Sequence, residues 1–277
     1  MPQSDRQTDN SYILMRRLYR PILLLCFVSF WIACQKPSED PTVIVTTKPE
    51  FVVDLFEQID PLTGNPTFGL WIRSVEKFSC SNYRIEGNVL VAAGDVRIQL
   101  KDVSPPDTCV GNAAVAQTFL PIGKMLPGSY RFSLTLGSAI QNEGILNVYE
   151  DRCELSLTDP QGVDFQNLAL RKIPSGLVWG YILTPDDASV ARAADFLADL
   201  KNLTTEHALE AGFYSYFTLS GTGLLLLHPG FAPTSTSQLF VRQAVASPEA
   251  LKTLIQQYRS TSQTPLQIRF LTTSGEL

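Results

Sequence analysis

The chain has 277 residues and a formal net charge of −5, with 22 basic against 27 acidic side chains and only two histidines. That balance excludes the basic footprint on which nucleic-acid binding rests, and it leaves little scope for an imidazole-based metal site. The length, with 44% hydrophobic residues, allows one large domain or two of ordinary size, each with its own core.

The first informative element is apolar. From Ile22 to Ala33 the chain is apolar apart from Ser29, and Arg16, Arg17 and Arg20 precede it. A bilayer-crossing helix needs about 20 apolar residues, so the run is short for a span; a basic start followed by such a run has the layout of a secretory signal peptide. Its end, Trp31-Ile32-Ala33-Cys34, resembles the lipobox of bacterial lipoproteins, although Trp31 stands where an aliphatic residue is usual. The resemblance implies a diacylglyceryl group on the Cys34 sulfur, cleavage before it, and a protein anchored in the outer membrane; Gln35 is not the aspartate linked to inner-membrane retention. On this reading residues 1–33 are the signal peptide, with Met15 as its expected start and 1–14 as an extension. An uncleaved N-terminal anchor is the alternative. Residues 34–49, with Pro37, Pro41 and Pro49, form a lipidated, semi-rigid tether. Removal of residues 1–33, which hold four arginines and two aspartates, leaves 18 basic and 25 acidic side chains, a net charge of −7. That charge disfavours attachment to anionic headgroups, so the expected contact with the membrane is the lipid alone.

Three cysteines remain in an oxidising compartment: Cys80, Cys109 and Cys153. Three pairings are open. Cys80–Cys109 is favoured because both lie among turn-forming residues, in "SCSNY" and "PPDTCVGN". Cys153, in "RCELSL", shares a strand face with Leu155 and Leu157 and reads as a buried thiol.

Residues 50–175 read as short strands separated by turns: "FVVDLFE", "FGLWIRSV", "NVLVAA", "VRIQLKDV", "AVAQTFL", "SYRFSLTL" and "GILNVYE". Val96, Ile98 and Leu100 alternate with Arg97, Gln99 and Lys101, the two-residue period of a half-buried strand. The set predicts an antiparallel β-sandwich. "LPGSYRFSLTL" resembles the tyrosine corner of immunoglobulin-like and prealbumin-like modules, which implies that the Tyr130 hydroxyl reaches back to the preceding turn.

Beyond residue 175 helices enter. "SGLVWGYILTP" is a strand; "DDASVARAADFLADLKN" is a helix capped by Asp186 or Asp187, with Val190, Ala194, Leu197 and Leu200 at helical spacing. "GFYSYFTLSGTGLLLLHPG" reads as a hairpin, "QLFVRQAV" as a strand, "SPEALKTLIQQYRS" as a helix with Ser247 as N-cap, and "LQIRFLTT" as the last strand. The order predicts a ferredoxin-like α+β domain over residues 176–277.

Chemistry-bearing motifs are sparse. His207 lacks a second histidine four residues on, because position 211 is Ala; no Gly-x-Ser-x-Gly elbow or phosphate loop occurs. No metal, cofactor or catalytic residue is expected, and Asp186-Asp187 is explained by helix capping. Trp179 and Tyr181 share one strand face, and Tyr214 and Tyr216 another, with Phe213 and Phe217 opposite. These four form a candidate platform for a sugar ring or a protein, unless the 50–175 domain covers them. The resulting expectation is a non-enzymatic, lipid-anchored envelope protein that binds a glycan or an envelope protein. The alternatives are an envelope hydrolase using two carboxylates in one cleft, and a structural subunit of an envelope complex.

Overall fold

The computed structural model describes residues 48–60, 64–233, 235–260 and 264–277. The signal-peptide reading, Cys34 and most of the tether lie outside the described residues. Residues Thr46–Leu277 form one compact unit. Among the described residues no helix is long and apolar enough to cross a membrane.

The strands β1 (Phe51–Ile59), β2 (Pro66–Phe78), β3 (Arg84–Ala92), β4 (Asp95–Ser104) and β5 (Ala114–Gly123) come first. Next are β6 (Gly128–Leu136), β7 (Ile140–Val148), β8 (Arg152–Leu157), β9 (Val163–Asn167) and β10 (Ala169–Arg171). They are followed by β11 (Leu177–Leu183), α1 (Asp187–Leu203), β12 (Thr204–Thr205), β13 (Gly212–Phe213) and β14 (Phe217–Leu219). The chain closes with β15 (Leu225–Leu227), β16 (Ser237–Ala244), α2 (Pro248–Ser260), β17 (Ile268–Thr272) and β18 (Gly275–Glu276). Three sheets result: β5-β2-β1-β9, β15-β14-β13-β10-β8-β7-β6-β4-β3, and β12-β16-β11-β17-β18.

The first two sheets enclose a common core. Val53, Leu55, Leu70 and Ile72 from the four-stranded sheet share one buried cluster with Val96, Ile98, Leu134 and Leu146 from the nine-stranded sheet. Alternation delivers them: in β4, buried Val96, Ile98 and Leu100 separate exposed Arg97, Gln99 and Lys101. Pairing is mixed, where an antiparallel sandwich was expected: β1–β9, β4–β6 and β10–β13 run parallel. Strands β9 and β10, short and broken by Leu168, carry too little alternation to be seen in the sequence. The Tyr130 hydroxyl donates to the Leu126 carbonyl at 2.9 Å, closing the corner that the "LPGSY" stretch implies.

Cys80 and Cys109 are joined in a disulfide, Cα atoms 5.6 Å apart. Around it the β2–β3 and β4–β5 loops are meshed: Ser81 N and Oγ both donate to the Val110 carbonyl, and Asn82 Nδ2 donates to that of Thr108. Cys153 is a free, buried thiol in β8.

The five-stranded sheet is covered on both faces. Val178, Ile182, Phe240, Ile268 and Phe270 pack with Phe196 and Leu200 of α1 and with Leu251, Ile255 and Tyr258 of α2. On the other face Leu177, Trp179 and Leu271 belong to the sandwich cluster. Asp186 caps α1 through a reciprocal bond pair with Ser189, and the buried stripe is Ser189, Ala193, Phe196 and Leu200. The stripe shares Leu200 with the expected Val190–Ala194–Leu197–Leu200 set, but its other three positions lie one residue earlier: Phe196, the bulkiest apolar side chain of the helix, is buried and Val190 is exposed. The Tyr258 hydroxyl donates to Asp199 Oδ2 at 2.6 Å and ties α2 to α1.

Residues 212–227 depart from the expected organisation. "GFYSYFTL" is not one strand of the C-terminal sheet: Ser215 has φ 63°, Tyr216 N donates to the Tyr214 carbonyl, and the chain folds back between β13 and β14. Both strands, with β15, extend the nine-stranded sheet through the β10–β13 pair.

Candidate functional site

The site grows from the face of the four-stranded sheet that points away from the nine-stranded sheet. In β1, Leu55 points into the sandwich, so Asp54, Phe56 and Gln58 point the other way. The antiparallel register puts Trp71 of β2 opposite Asp54. This face is closed by the turn His228-Pro229-Gly230-Phe231, held by bonds from Phe231 N and Ala232 N to the His228 carbonyl. Gly230 fits a close approach there: a Cβ would stand 3.3 Å from both His228 Nδ1 and Trp71 Cζ2.

A polar network lies beneath that turn. Asp54 is wholly buried, and its carboxylate accepts from Asn167 Nδ2 at 2.6 Å, His228 Nε2 at 3.2 Å and Arg73 Nη2 at 3.4 Å. His228 Nδ1 accepts from Gly230 N at 3.2 Å, so this hydrogen-bond pattern assigns the imidazole proton to Nε2. Burial alone would push the Asp54 carboxyl up. The bonds from His228 and Asn167, with the charge of Arg73, outweigh it and hold the group below the usual carboxylate range. Both ring nitrogens of His228 are thus engaged, which leaves neither free as a base or a ligand. The network is a clamp that fixes the turn to the sheet.

Beside the clamp opens a cleft of about 200 Å³ between the sandwich and the C-terminal sheet. Its walls are the rings of Phe56, Trp71, Tyr216 and Phe231, and its rim carries Gln58, Arg269 and Glu276. The rings brace one another: Phe56 lies 5.3 Å from both Trp71 and Tyr216, and Tyr216 lies 5.4 Å from Phe231. Arg269 sits over Phe231 at 4.4 Å and faces Glu276 at 3.5 Å, both side chains partly exposed. Glu276 is the one carboxylate among the residues lining the cleft, and no group of three His, Cys, Asp or Glu side chains gathers among the described residues to hold a metal.

The outward aromatic platform of Trp179, Tyr181, Tyr214 and Tyr216 is corrected by this arrangement. Trp179, Tyr214 and Tyr216 are buried and Tyr181 is half-buried, because the sandwich covers that face of the sheet. Trp179 packs 5.4 Å from Tyr216, and Tyr181 lies 5.5 Å from Phe231. Ser215 Oγ accepts from Glu57 N at 2.8 Å and Tyr216 Oη from Ile59 N at 2.9 Å, in place of a neighbouring strand. Of the four, Tyr216 alone lines the cleft. Phe56, Trp71, Phe231 and Arg269 are not singled out by the sequence; they come from β1, β2, the turn after β15 and β17, and the "HPGF" turn is the one local signal. No family model matches this chain, and the searches of curated proteins and of solved structures found no match to it.

Proposed function

We propose that this is a lipid-anchored, non-enzymatic binding protein of the bacterial cell envelope, and that the aromatic cleft accepts a single sugar ring of an envelope glycan. The observation that carries the proposal is the composition of the cleft: four rings as walls, with an amide, a guanidinium and a carboxylate at the rim. A pyranose has the matching chemistry, an apolar face of C–H bonds ringed by hydroxyls. The rings would take the C–H face, Gln58 and Arg269 would donate to hydroxyl oxygens, and Glu276 would accept from a hydroxyl. A hydrolase of the paired-carboxylate type has less support, since Glu276 has no second carboxylate beside it in the lining.

The finer fold reading belongs to the same proposal. The sandwich is taken as immunoglobulin-like, supported by the Tyr130 corner. The β11-α1-β16-α2-β17 segment is taken as ferredoxin-like, supported by two helices on one sheet face. The anchor rests on the lipobox-like residues before Cys34, with a periplasmic or a surface orientation both open to a lipid-tethered chain.

The test is titration of the protein against soluble envelope glycan fragments by calorimetry. Gln58→Ala and Arg269→Ala, both on the rim, should weaken binding about tenfold or more while the melting temperature stays close to wild type. No binding by the wild type, or binding indifferent to both changes, overturns the assignment. Cys34→Ala should release the protein from membranes, and retention would refute the lipid anchor.

A further inference from the structure

The outer face of the nine-stranded sheet carries a second concavity, a groove of about 1000 Å³ over β3, β4, β6 and β7. Alternation sends Val96, Ile98, Phe132 and Leu134 into the core, so the residues between them face outward. The strand register sets those outward residues in rows that cross all four strands. One row is Leu90, Arg97, Ser133 and Glu143; the next is Asn88, Gln99, Thr135 and Gln141. Asp95 and Arg131, paired across β4 and β6, extend the face beyond the first row. On the β7 side the groove is walled by Thr158, whose amide donates to the Glu143 carbonyl at 3.2 Å. Buried Asn142 ties the same loop to the sheet through two bonds with the Gln161 backbone.

The chemistry of this lining selects a class of ligand. Its charges cancel, two arginines against Asp95 and Glu143, so neither a polyanion nor a polycation is favoured. Asp95 accepts from Arg97 Nη2 and from Arg131 Nε, each at 2.7 Å, and Glu143 accepts from Gln141 Nε2 at 2.7 Å. Each arginine thus commits one nitrogen to Asp95, which holds the guanidinium plane and leaves its other N–H groups as donors. Gln99 gives an amide N–H to the Gly137 carbonyl at 3.3 Å and keeps its own carbonyl as an acceptor. The sole aromatic ring in the lining, Phe132, is buried on the core side, whereas the centre of a protein interface is enriched in aromatic residues. Leu90 and Ile145, both exposed, supply apolar contact at the β3 and β7 sides. Held planar donors and acceptors, small apolar patches and no net charge match an uncharged polyhydroxylated chain.

We propose, resting on the glycan reading of the cleft for the ligand class, that this groove is a second and longer site, which holds a linear, uncharged polysaccharide lying across the strands. Each row crosses three strand spacings of about 4.8 Å, or about 14 Å in all. A linear polysaccharide repeats its rings at a similar interval, so it sets one ring over each of the four strands. The Arg97 and Arg131 guanidinium groups donate to its hydroxyl oxygens, and the Gln99 and Gln141 carbonyls accept from its hydroxyls. The aromatic cleft grips one ring; the groove grips a run of them.

Calorimetric titration of the full chain with cello-oligosaccharides and N-acetylated chito-oligosaccharides of increasing length, with oligogalacturonates as the charged comparison, tests it. Affinity for the neutral oligomers should climb with length up to about four rings and then level off. Arg97→Ala combined with Gln99→Ala, both exposed positions, should weaken binding of the long oligomers about tenfold or more. Ser133→Trp, which fills the centre of the groove, should do the same. Circular dichroism and melting temperature should show both variants folded. A gain with length that survives Gln58→Ala and is lost in the groove variants assigns it to the groove. Loss of single-ring binding alone overturns the cleft and leaves the groove, whereas single-ring binding with no gain from further rings does the reverse. No binding of any oligomer, a preference for oligogalacturonates, or long-oligomer binding indifferent to both groove variants would each overturn the assignment.

Discussion

Replacing Asp54 by Asn changes a few atoms and tests the reasoning about the clamp directly. The amide oxygen can still accept from Asn167, which lies 2.6 Å from Oδ1. The new NH2 group must then face His228 Nε2 and Arg73 Nη2, which stand 3.2 and 3.4 Å from Oδ2 and are donors themselves. His228 cannot relieve the conflict by moving its proton, because an Nδ1–H would oppose the Gly230 N–H. Breaking a buried ion pair from one side costs about 3–5 kcal/mol; the retained Asn167 bond and the partial exposure of Arg73 reduce the expected loss to about 2–4 kcal/mol. For a unit of this size that corresponds to a fall in melting temperature of roughly 5–15 °C. Urea unfolding at pH 7, followed by tryptophan fluorescence, reads it, since Trp71 lies 6.2 Å from His228. The pH dependence has a definite sign. A carboxyl with a lowered folded pKa contributes its full stability above the unfolded value, about 3.9, and loses it as the pH falls through the folded value. The gap between wild type and Asp54→Asn should therefore be constant near neutrality and close in strong acid. A loss below about 1 kcal/mol at pH 7, or a gap that persists undiminished into strong acid, would refute the clamp.

Other perturbations test other parts. Changing Cys80 and Cys109 together to Ala opens a loop of sequence separation 29 and should cost about 3–4 kcal/mol in denaturant unfolding under non-reducing conditions, with wild type in reductant showing the same loss. Tyr216→Phe removes the acceptor of the buried Ile59 N–H and should cost about 1–3 kcal/mol by the same assay; an unchanged midpoint would deny the hydroxyl its structural role. Gly180→Ala would place a Cβ 1.9 Å from the Arg269 carbonyl in the centre of the five-stranded sheet, so a loss of about 3 kcal/mol or failure to fold is expected on thermal unfolding. Burial pushes the Cys153 thiol up to about 11. At pH 8 iodoacetamide should therefore label Cys153 in native protein about 100-fold more slowly than in urea-unfolded protein, and equal rates would contradict its burial.

Local alternation marks most of the fold. Strands such as β4 and β6 bury every second residue, so their positions and inward faces can be read before any contact is known. The α1 cap and the α2 Ser247–Pro248 start are equally local, and the Ser247 hydroxyl does accept from Ala250 N. The "GFYSYFTL" stretch misleads for the opposite reason. Its alternation of aromatics looks like a strand, but all of residues 213–217 are buried, and a fully buried segment has no polar face to report its geometry.

What the sequence determines by itself, then, is where the longer strands and the two described helices lie, which way the alternating strands face, and which cysteines can meet at neighbouring turns. Only the tertiary structure decides that Trp179 is core rather than platform, that residues 212–227 join the nine-stranded sheet, and that Phe56, Trp71, Tyr216 and Phe231 converge on one cleft. Periodicity is a property of neighbours two to four residues apart, whereas Asp54 and His228 are 174 residues apart and are brought together only when the turn after β15 docks on the sheet. Burial of a face depends on what is packed against it, and no local pattern carries that information.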